Sequence, residues 1–219
     1  MPRHKPIRFE TSLEPKLVNE VRRVIRDNQK AKTVLNATLA LAAVGGILTL
    51  ATIAPAALVG LGTLLKTGRQ QKYQRYRELW TNFRKLKQRG AFEFAEEKDG
   101  YLVYRFTEKG KEKIKKLIFE EMNVTKPKRW DGKWRLVIFD IPESRKQARN
   151  ALRDKLKEMN FYQCQRSVWI HPFPCGEEIA FITHLFNIEP YVKVFRVDEM
   201  NDGRVIYYFK NLIKEIVTK

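Results

Sequence analysis

The feature that most constrains the fold is the run Thr33–Leu65, which contains no charged residue in a chain that is otherwise densely charged. It reads TVLNATLALAAVGGILTLATIAPAALVGLGTLL, and about 20 consecutive apolar residues are enough for a helix to cross a bilayer. A helix that is apolar all round must be buried in lipid or in protein. For burial in protein, Pro55 predicts two helices, roughly 33–53 and 56–66.

Positive charge is concentrated in the first part of the chain. The 219 residues include 43 Lys and Arg and 25 Asp and Glu, which gives a net charge of +18. Residues 1–129 hold 28 of these basic and 13 of these acidic residues, whereas residues 130–219 hold 15 and 12. Such an excess indicates a polyanionic partner, either nucleic acid or an anionic membrane surface. Solubility alone is the simpler explanation.

The segments that flank the uncharged run predict a basic domain rich in helices. The charged N-terminal segment 1–32 has apolar residues at helical spacing near 14–28. Residues 70–89 predict a longer amphipathic helix with an aromatic stripe and many cations. The next segment, AFEFAEEKDGYLVYRF, predicts a hairpin around Asp99-Gly100, and Thr107 predicts the N-cap of a further helix.

This order of helix, helix, basic helix, hairpin and helix is that of a winged helix-turn-helix, here spanning 33–122. In that fold the helix before the hairpin enters the major groove of DNA. Cations would neutralise phosphates, and polar side chains would reach base edges. The candidate DNA-binding residues are Lys72, Arg75, Arg77, Asn82, Arg84, Lys85, Lys87, Gln88, Arg89 and Lys98. The simpler alternative is an exposed charged helix beside an aromatic core.

The rest of the chain predicts a linker at 123–133 and a second domain at 134–219. Alternating apolar residues and turn signals give the order βαββαβ with an extra C-terminal helix, which is a ferredoxin-like pattern. The predicted elements are strand 134–140, helix 143–159, a strand pair at about 161–171, helix 176–187, and strands at about 191–198 and 204–209. The predicted fold class is therefore α+β.

The segment KWRLVIFDIPESRKQARNALRDKLKEMNFYQCQRSVWIHPFP resembles the central domain of the PaaX (phenylacetate-repressor) family of transcriptional regulators. That domain is itself similar to the small CRISPR-adaptation subunit, Cas-two. The shared pattern is a Trp-led strand that ends in Ile-Pro-Glu, an Arg-rich helix, and a strand containing Ser167-Val168-Trp169. The resemblance covers about 130–210. Since the sequence stops at residue 219, we expect no further C-terminal domain, and the acyl-coenzyme-A response of the family is in doubt here.

The resemblance implies a dimeric repressor that occupies double-stranded DNA as a homodimer. The sequence does not identify its small-molecule effector. A winged helix in front of the central domain would take its first two helices from 33–65, which favours a cytoplasmic protein. The alternative is an inner-membrane-associated DNA-binding protein anchored by 33–65. The scattered Cys164 and Cys175 indicate free thiols rather than a zinc site.

Asp140, at the end of the strand WRLVIFD, raises a second alternative. In the CRISPR subunit an aspartate at this strand end is associated with metal binding at a two-fold axis, which would make the chain a Mg²⁺-dependent nuclease or CRISPR-adaptation component. Glu143 and His171 are the possible helpers. One carboxylate provides too few ligands for a Mg²⁺ site. We therefore expect no cofactor, no bound metal and no enzymatic activity. Asp140 would instead cap helix 143–159 or pair with Arg145 or Arg149.

Overall fold

The computed structural model describes residues 5–10, 13–27, 34–48 and 69–217. The chain divides into two compact units, residues 1–121 and 122–219, and each unit contains one four-stranded sheet. The described residues form seven α-helices and eight strands. The protein is therefore of mixed α and β structure, in line with the predicted class.

The first unit begins with a strand that the sequence did not indicate. The elements of this unit are β1 (Ile7–Phe9), α1 (Pro15–Asp27), α2 (Val34–Ala43), β2 (Ile47–Leu48), α3 (Arg69–Gln88), β3 (Phe92–Lys98), β4 (Tyr101–Phe106) and α4 (Glu108–Glu121). Its sheet has the order β2-β1-β4-β3, in which β1 runs parallel to β4 and the other neighbours are antiparallel. The helix predicted near 14–28 is confirmed as α1, and the helix predicted at 70–89 is confirmed as α3.

The uncharged run does not form the long first helix predicted at 33–53. Helix α2 ends at Ala43, and Gly45 follows in the left-handed region with φ of 72°. Gly46 then passes so close to the helix that a Cβ would lie 2.8 Å from Leu41 Cγ. Two glycines thus allow the chain to turn back into β2, a path that side chains would block.

Most of the uncharged run lies outside the described residues. Residues 49–68 belong to this part, including the helix predicted at 56–66. In the described portions of the chain, no helix is both long enough and apolar enough to span a bilayer. The membrane-anchored alternative therefore stays a prediction.

The predicted hairpin is confirmed, and it packs on the start of α4. Asp99 and Gly100 have φ of 53° and 78°, as a two-residue turn of this kind requires. Thr107 caps α4, since its Oγ1 accepts a hydrogen bond of 3.1 Å from the amide of Gly110. The same hydroxyl donates to the carbonyl of Gly90 at 2.5 Å. One side chain thereby joins the end of α3 to the start of α4.

Aromatic rings form the core between α3 and its sheet. Phe83 of α3 lies 5.8 Å from Phe9, 5.6 Å from Phe92 and 5.0 Å from Tyr104, measured between ring centroids. All four side chains are at most 5% exposed. Such ring pairs stabilise a core beyond the area they bury, so α3 is fixed firmly on the strands.

The second unit has the ferredoxin-like topology that its sequence predicts. Its elements are β5 (Trp134–Phe139), a 3-10 turn (Glu143–Arg145), α5 (Lys146–Glu158), β6 (Tyr162–Gln165), β7 (Val168–His171), α6 (Gly176–Leu185), a second 3-10 turn (Glu189–Tyr191), β8 (Val192–Val197) and α7 (Gly203–Val217). Its sheet has the order β6-β7-β5-β8 with every pair antiparallel, and two helices connect the strands as βαββαβ.

The prediction of a strand at 204–209 is wrong, because these residues form the first turns of α7. Asp202 begins the helix by accepting a hydrogen bond of 2.8 Å from the amide of Arg204. Val205 and Phe209 then lie four residues apart on one helix face and pack on Trp134 of the sheet. The apolar residues that suggested a strand are the buried stripe of this helix.

Trp130, within the predicted linker 123–133, is packed on the same side of the sheet. Its indole nitrogen donates to the carbonyl of Pro172 at 2.7 Å, and its ring lies 5.6 Å from that of Trp134. At least this part of the segment is anchored to the second unit.

Candidate nucleic-acid interface

Helix α3 has one buried face and one exposed face. Tyr76, Phe83 and Leu86 are at most 4% exposed and point towards the sheet. On a helix with 3.6 residues per turn, the opposite face is centred on Thr81, with Arg77 and Lys85 one turn to either side. All three of these side chains are exposed. The exposed face therefore presents two cations around a hydroxyl.

The predicted DNA-binding residues are divided between this exposed face and one flank of α3. Arg77 and Lys85 lie on the exposed face, Asn82 is half-buried, and Arg89 is exposed just after the helix end. The flank that borders β1 and β4 carries Arg84, Lys87 and Gln88, which line a cleft there. Lys72 and Arg75 belong to α3, but their side chains lie outside the described part. Lys98 is exposed at the end of β3.

The cations of α3 are not neutralised by nearby carboxylates. Across the described stretches of the chain, no Asp or Glu is within ion-pair distance of Arg77, Arg84, Lys85, Lys87 or Arg89. Glu78, which also lies on α3, accepts a hydrogen bond from Gln74 instead. The helix thus offers uncompensated positive charge, which phosphate groups favour.

The hairpin is acidic, and cations from elsewhere in the first unit compensate it. Glu97 pairs with Lys5 at 2.5 Å, and Asp99 pairs with Arg8 at 3.7 Å. Arg8 also lies 4.4 Å above the ring of Tyr101. Lys98 therefore sits between two carboxylates that the N-terminal strand neutralises.

Sequence reasoning missed this role of Lys5 and Arg8. Both lie on or beside the short strand β1, whose only sequence signal is the alternation in Ile-Arg-Phe. A strand of three residues is too short to be distinguished from a loop by its pattern. Only its parallel pairing with β4 brings the two cations to the hairpin.

One cation of α3 is held by the sheet. The ammonium of Lys87 donates a hydrogen bond of 2.9 Å to the hydroxyl of Tyr104, and it lies 4.9 Å from the centre of that ring. Tyr104 is 5% exposed. Lys87 is thereby fixed against β4, whereas Lys85 projects freely from the exposed face.

Asp140 has neither of the structural roles predicted for it. Arg149 donates to Glu143 at 2.6 Å and to the carbonyl of Ile141 at 3.1 Å, and Arg145 donates to the carbonyl of Asn187 at 2.5 Å. The residue before the 3-10 turn is Pro142, which provides no side-chain cap. The turn at Pro142 places Glu143 rather than Asp140 within reach of Arg149.

The surroundings of Asp140 do not form a metal site within the described residues. Its side chain is exposed, and its amide donates to the carbonyl of Tyr191 at 3.0 Å. His171 lies at the opposite end of β5, where it pairs with Arg135. No group of three His, Cys, Asp or Glu side chains suited to a metal occurs in the ranges that the structure covers.

His171 is a buried core residue. Its ring is 2% exposed, and its Nδ1 accepts a hydrogen bond of 3.1 Å from the amide of Phe173. Burial lowers the pKa of this imidazole from 6.5 to about 4. His171 is therefore neutral at pH 7, and it lies at the opposite end of β5 from Asp140.

The second unit resembles a known protein family. Residues 127–205 match the family model described as the PaaX protein central Cas2-like domain. The match confirms the resemblance of this unit to the central domain of the PaaX family. No curated protein matches the chain.

Proposed function

We propose that the protein is a DNA-binding transcriptional regulator that acts as a dimeric repressor. The observation that carries this proposal is the exposed face of α3, where cations without carboxylate partners among the described residues lie on the helix that directly precedes a hairpin. The order α1, α2, α3 and hairpin among the described elements fits a winged helix-turn-helix, in which the last helix reads the major groove. A repressor of this kind would block transcription by occupying its operator.

The exposed face of α3 supplies both kinds of contact that a DNA reader needs. Arg77 and Lys85 are long cations that neutralise phosphates, and an Arg side chain can also bind guanine with two hydrogen bonds. Thr81, between them, can hydrogen-bond a base edge or contact a thymine methyl group. At 20 residues, α3 is long enough to follow the groove over several base pairs.

The hairpin would serve as the wing beside the groove. Its carboxylates would repel phosphates if they were bare, since like charges oppose binding. The ion pairs of Lys5 with Glu97 and of Arg8 with Asp99 reduce that repulsion. On this proposal, the N-terminal strand is part of the DNA-binding unit even though it does not contribute to the exposed face of α3.

The homodimer is a proposal as well, and exposed apolar side chains of the second unit support it. Phe195 on β8 is 50% exposed, and Tyr207 on α7 is 78% exposed. β8 is also an edge strand of its sheet, and open edges and exposed apolar residues are where second copies pair. A dimer would hold two α3 helices at the fixed separation that a two-fold DNA site requires.

Electrophoretic shift with genomic fragments, including the region upstream of the protein's own coding sequence, tests DNA binding. The variant Arg77→Ala/Lys85→Ala/Arg89→Ala should bind its best fragment about a hundredfold more weakly, because three phosphate contacts are lost. The matched control Lys109→Ala/Lys115→Ala/Lys116→Ala removes three exposed cations from α4. Equal losses in both variants, or no binding of any fragment by the wild type, would refute the proposal.

Sedimentation velocity tests the dimer and its geometry. Phe195→Asp should dissociate a dimer formed through the sheet edge, whereas Tyr207→Asp should dissociate one formed through α7. Phe94→Asp is the control, because Phe94 is similarly exposed, at 52%, but belongs to the first unit. If the wild-type chain sediments as a monomer at working concentrations, the proposed homodimer is refuted.

A further inference from the structure

We propose that the cleft between α3 and strands β1 and β4 binds a small apolar carboxylate, and that this ligand weakens DNA binding. The cleft is open to solvent, has a volume of about 410 Å³ and is lined by Ile7, Trp80, Phe83, Arg84, Lys87, Gln88, Leu102 and Tyr104. The effect on DNA depends on the proposed function, whereas binding of the carboxylate does not.

The floor of the cleft is apolar. Its accessible apolar surface comes mainly from Trp80 and Leu102, which are half-buried, because Ile7, Phe83 and Tyr104 are at most 5% exposed. Leu102 pairs with Ile7 across the parallel strands and is half-buried. Ligand sites of this size combine mostly apolar walls with a few polar groups that orient the ligand. The floor would therefore take the hydrocarbon or aryl body of a ligand.

The rim of the cleft is cationic. Arg84 and Lys87 lie three residues apart on α3, so their side chains are neighbours on the helix surface. Like charges at this spacing repel each other, and neither has a carboxylate partner among the residues that the structure describes. One anion placed between them would satisfy both.

The donors at the rim are suited to a carboxylate. The ammonium of Lys87 uses one of its three hydrogens for Tyr104 and keeps two for a ligand. The bond to Tyr104 also fixes its position, which lowers the entropy lost on binding. Arg84 offers a planar guanidinium that can bind both oxygens of a carboxylate. Gln88 adds an amide at the same edge.

The same two cations connect the cleft to DNA binding. Arg84 and Lys87 lie on α3, beside the exposed face that is proposed to enter the groove. A carboxylate bound to them would cancel positive charge that DNA phosphates otherwise use. By linkage, DNA would weaken binding of the carboxylate by the same factor.

Isothermal titration of the DNA-free protein tests the site directly. The probes are 2-naphthoate, with 2-naphthamide as its uncharged counterpart, and octanoate, which replaces the ring by a chain. We expect one or both acids to bind at least about tenfold more tightly than the amide, as charge-assisted hydrogen bonds require. The acid that binds more tightly indicates whether the cleft favours a ligand with an aromatic ring or one with an alkyl chain. Absence of binding by both acids, or equal binding of naphthoate and naphthamide, would overturn the site.

Two matched variants locate the site along α3. Arg84→Gln should weaken acid binding about tenfold, whereas Arg77→Gln, the same change about two turns away and outside the cleft, should leave it unchanged. Circular dichroism checks that both variants keep the wild-type fold. Equal losses in both variants would mean that the acid binds only to the general positive charge, which refutes the cleft.

Electrophoretic shift with and without the tighter acid then tests the effect on DNA. We expect the acid to weaken duplex binding by the wild type and to have little effect on Arg84→Gln. Acid binding without any change in duplex binding would refute the regulatory part of the proposal. If the protein binds acid but no duplex at all, the proposed function fails while the ligand site stands.

Discussion

The ammonium of Lys87 lies 2.9 Å from the hydroxyl of Tyr104, which joins the basic helix α3 to strand β4 of its sheet. A lysine that sequence reasoning assigned to DNA phosphates is therefore also a structural link within the first unit. The two roles conflict, because the bond to Tyr104 restricts the position of the ammonium and leaves it less able to reach a DNA phosphate.

Replacing Tyr104 by Phe should lower the free energy of unfolding of the first unit by about 1–2 kcal/mol, because a partly buried charged hydrogen bond is lost. The ring and its contact with the ammonium remain in this variant. A double-mutant cycle with Lys87→Met, followed by urea unfolding, isolates the contribution of the pair. Additive effects of the two substitutions would show that the hydrogen bond contributes nothing to stability.

The salt dependence of DNA binding should distinguish Lys85 from Lys87. Lys85→Ala should reduce the slope of log affinity against log salt concentration by about 1, the value for one phosphate contact. Lys87→Ala should reduce it by less, because Tyr104 holds the Lys87 side chain against β4. Fluorescence-anisotropy titrations at several salt concentrations measure both slopes. A larger change for Lys87 than for Lys85 would contradict the assignment of the exposed face.

Gly110→Ala should destabilise the first unit by about 1–3 kcal/mol, because overpacked sites must shift their neighbours. A Cβ at Gly110 would overlap the carbonyl oxygen of Ala91 and lie 2.7 Å from the Phe106 ring. The control is Gly203→Ala, since a Cβ at Gly203 would meet nothing within 4 Å. Thermal unfolding of both variants provides the comparison, and equal melting temperatures would contradict the packing of α4 on the hairpin.

The second unit should lose stability as the pH falls from 6.5 towards 4. The pKa of His171 is about 4 in the folded state against 6.5 when exposed, so below pH 6.5 the unfolded chain binds a proton that the folded chain does not. Stability is then fully present above pH 6.5, and the loss approaches about 3 kcal/mol near pH 4.

Urea unfolding at several pH values measures this loss through tryptophan fluorescence, because three of the four tryptophans, Trp130, Trp134 and Trp169, lie in the second unit. His171→Asn should flatten the pH dependence. His184→Asn should not, because the ring of His184 is 74% exposed. A pH dependence that persists in His171→Asn would assign it to another group.

Purified wild-type protein should show no Mg²⁺-dependent cleavage of DNA, and Asp140→Asn should behave identically. Asp140 is an exposed single carboxylate, whereas Mg²⁺ requires near-octahedral oxygen coordination with well-placed ligands. A gel assay with Mg²⁺ or with a chelator gives the measurement. Cleavage by the wild type that disappears in Asp140→Asn would restore the nuclease alternative.

Local patterns were sufficient for several elements. The turn dipeptide Asp99-Gly100, the cap at Thr107 and the apolar stripe of α3 each act over a few residues, so the sequence alone identified them. The same holds for the first strands and helices of the second unit. The strand predicted at 204–209 failed because a short apolar run fits either a strand or the buried stripe of a helix.

The partners of individual side chains were beyond sequence reasoning. Asp140 was expected to pair with Arg145 or Arg149. Instead, the turn at Pro142 brings Glu143 into an ion pair with Arg149. A shift of a few ångströms in a turn decides such a choice, and no sequence pattern specifies it.

The sequence by itself determined that a basic helix precedes a hairpin and that a ferredoxin-like unit follows, because charge, helical spacing and turn chemistry are local properties. Only the tertiary structure decided which of the exposed cations of α3 line a cleft. That division depends on β1, a three-residue strand far away in the chain that pairs with β4. The contact between distant segments places Ile7 beneath Arg84 and Lys87, and it turns one flank of a charged helix into a candidate ligand site.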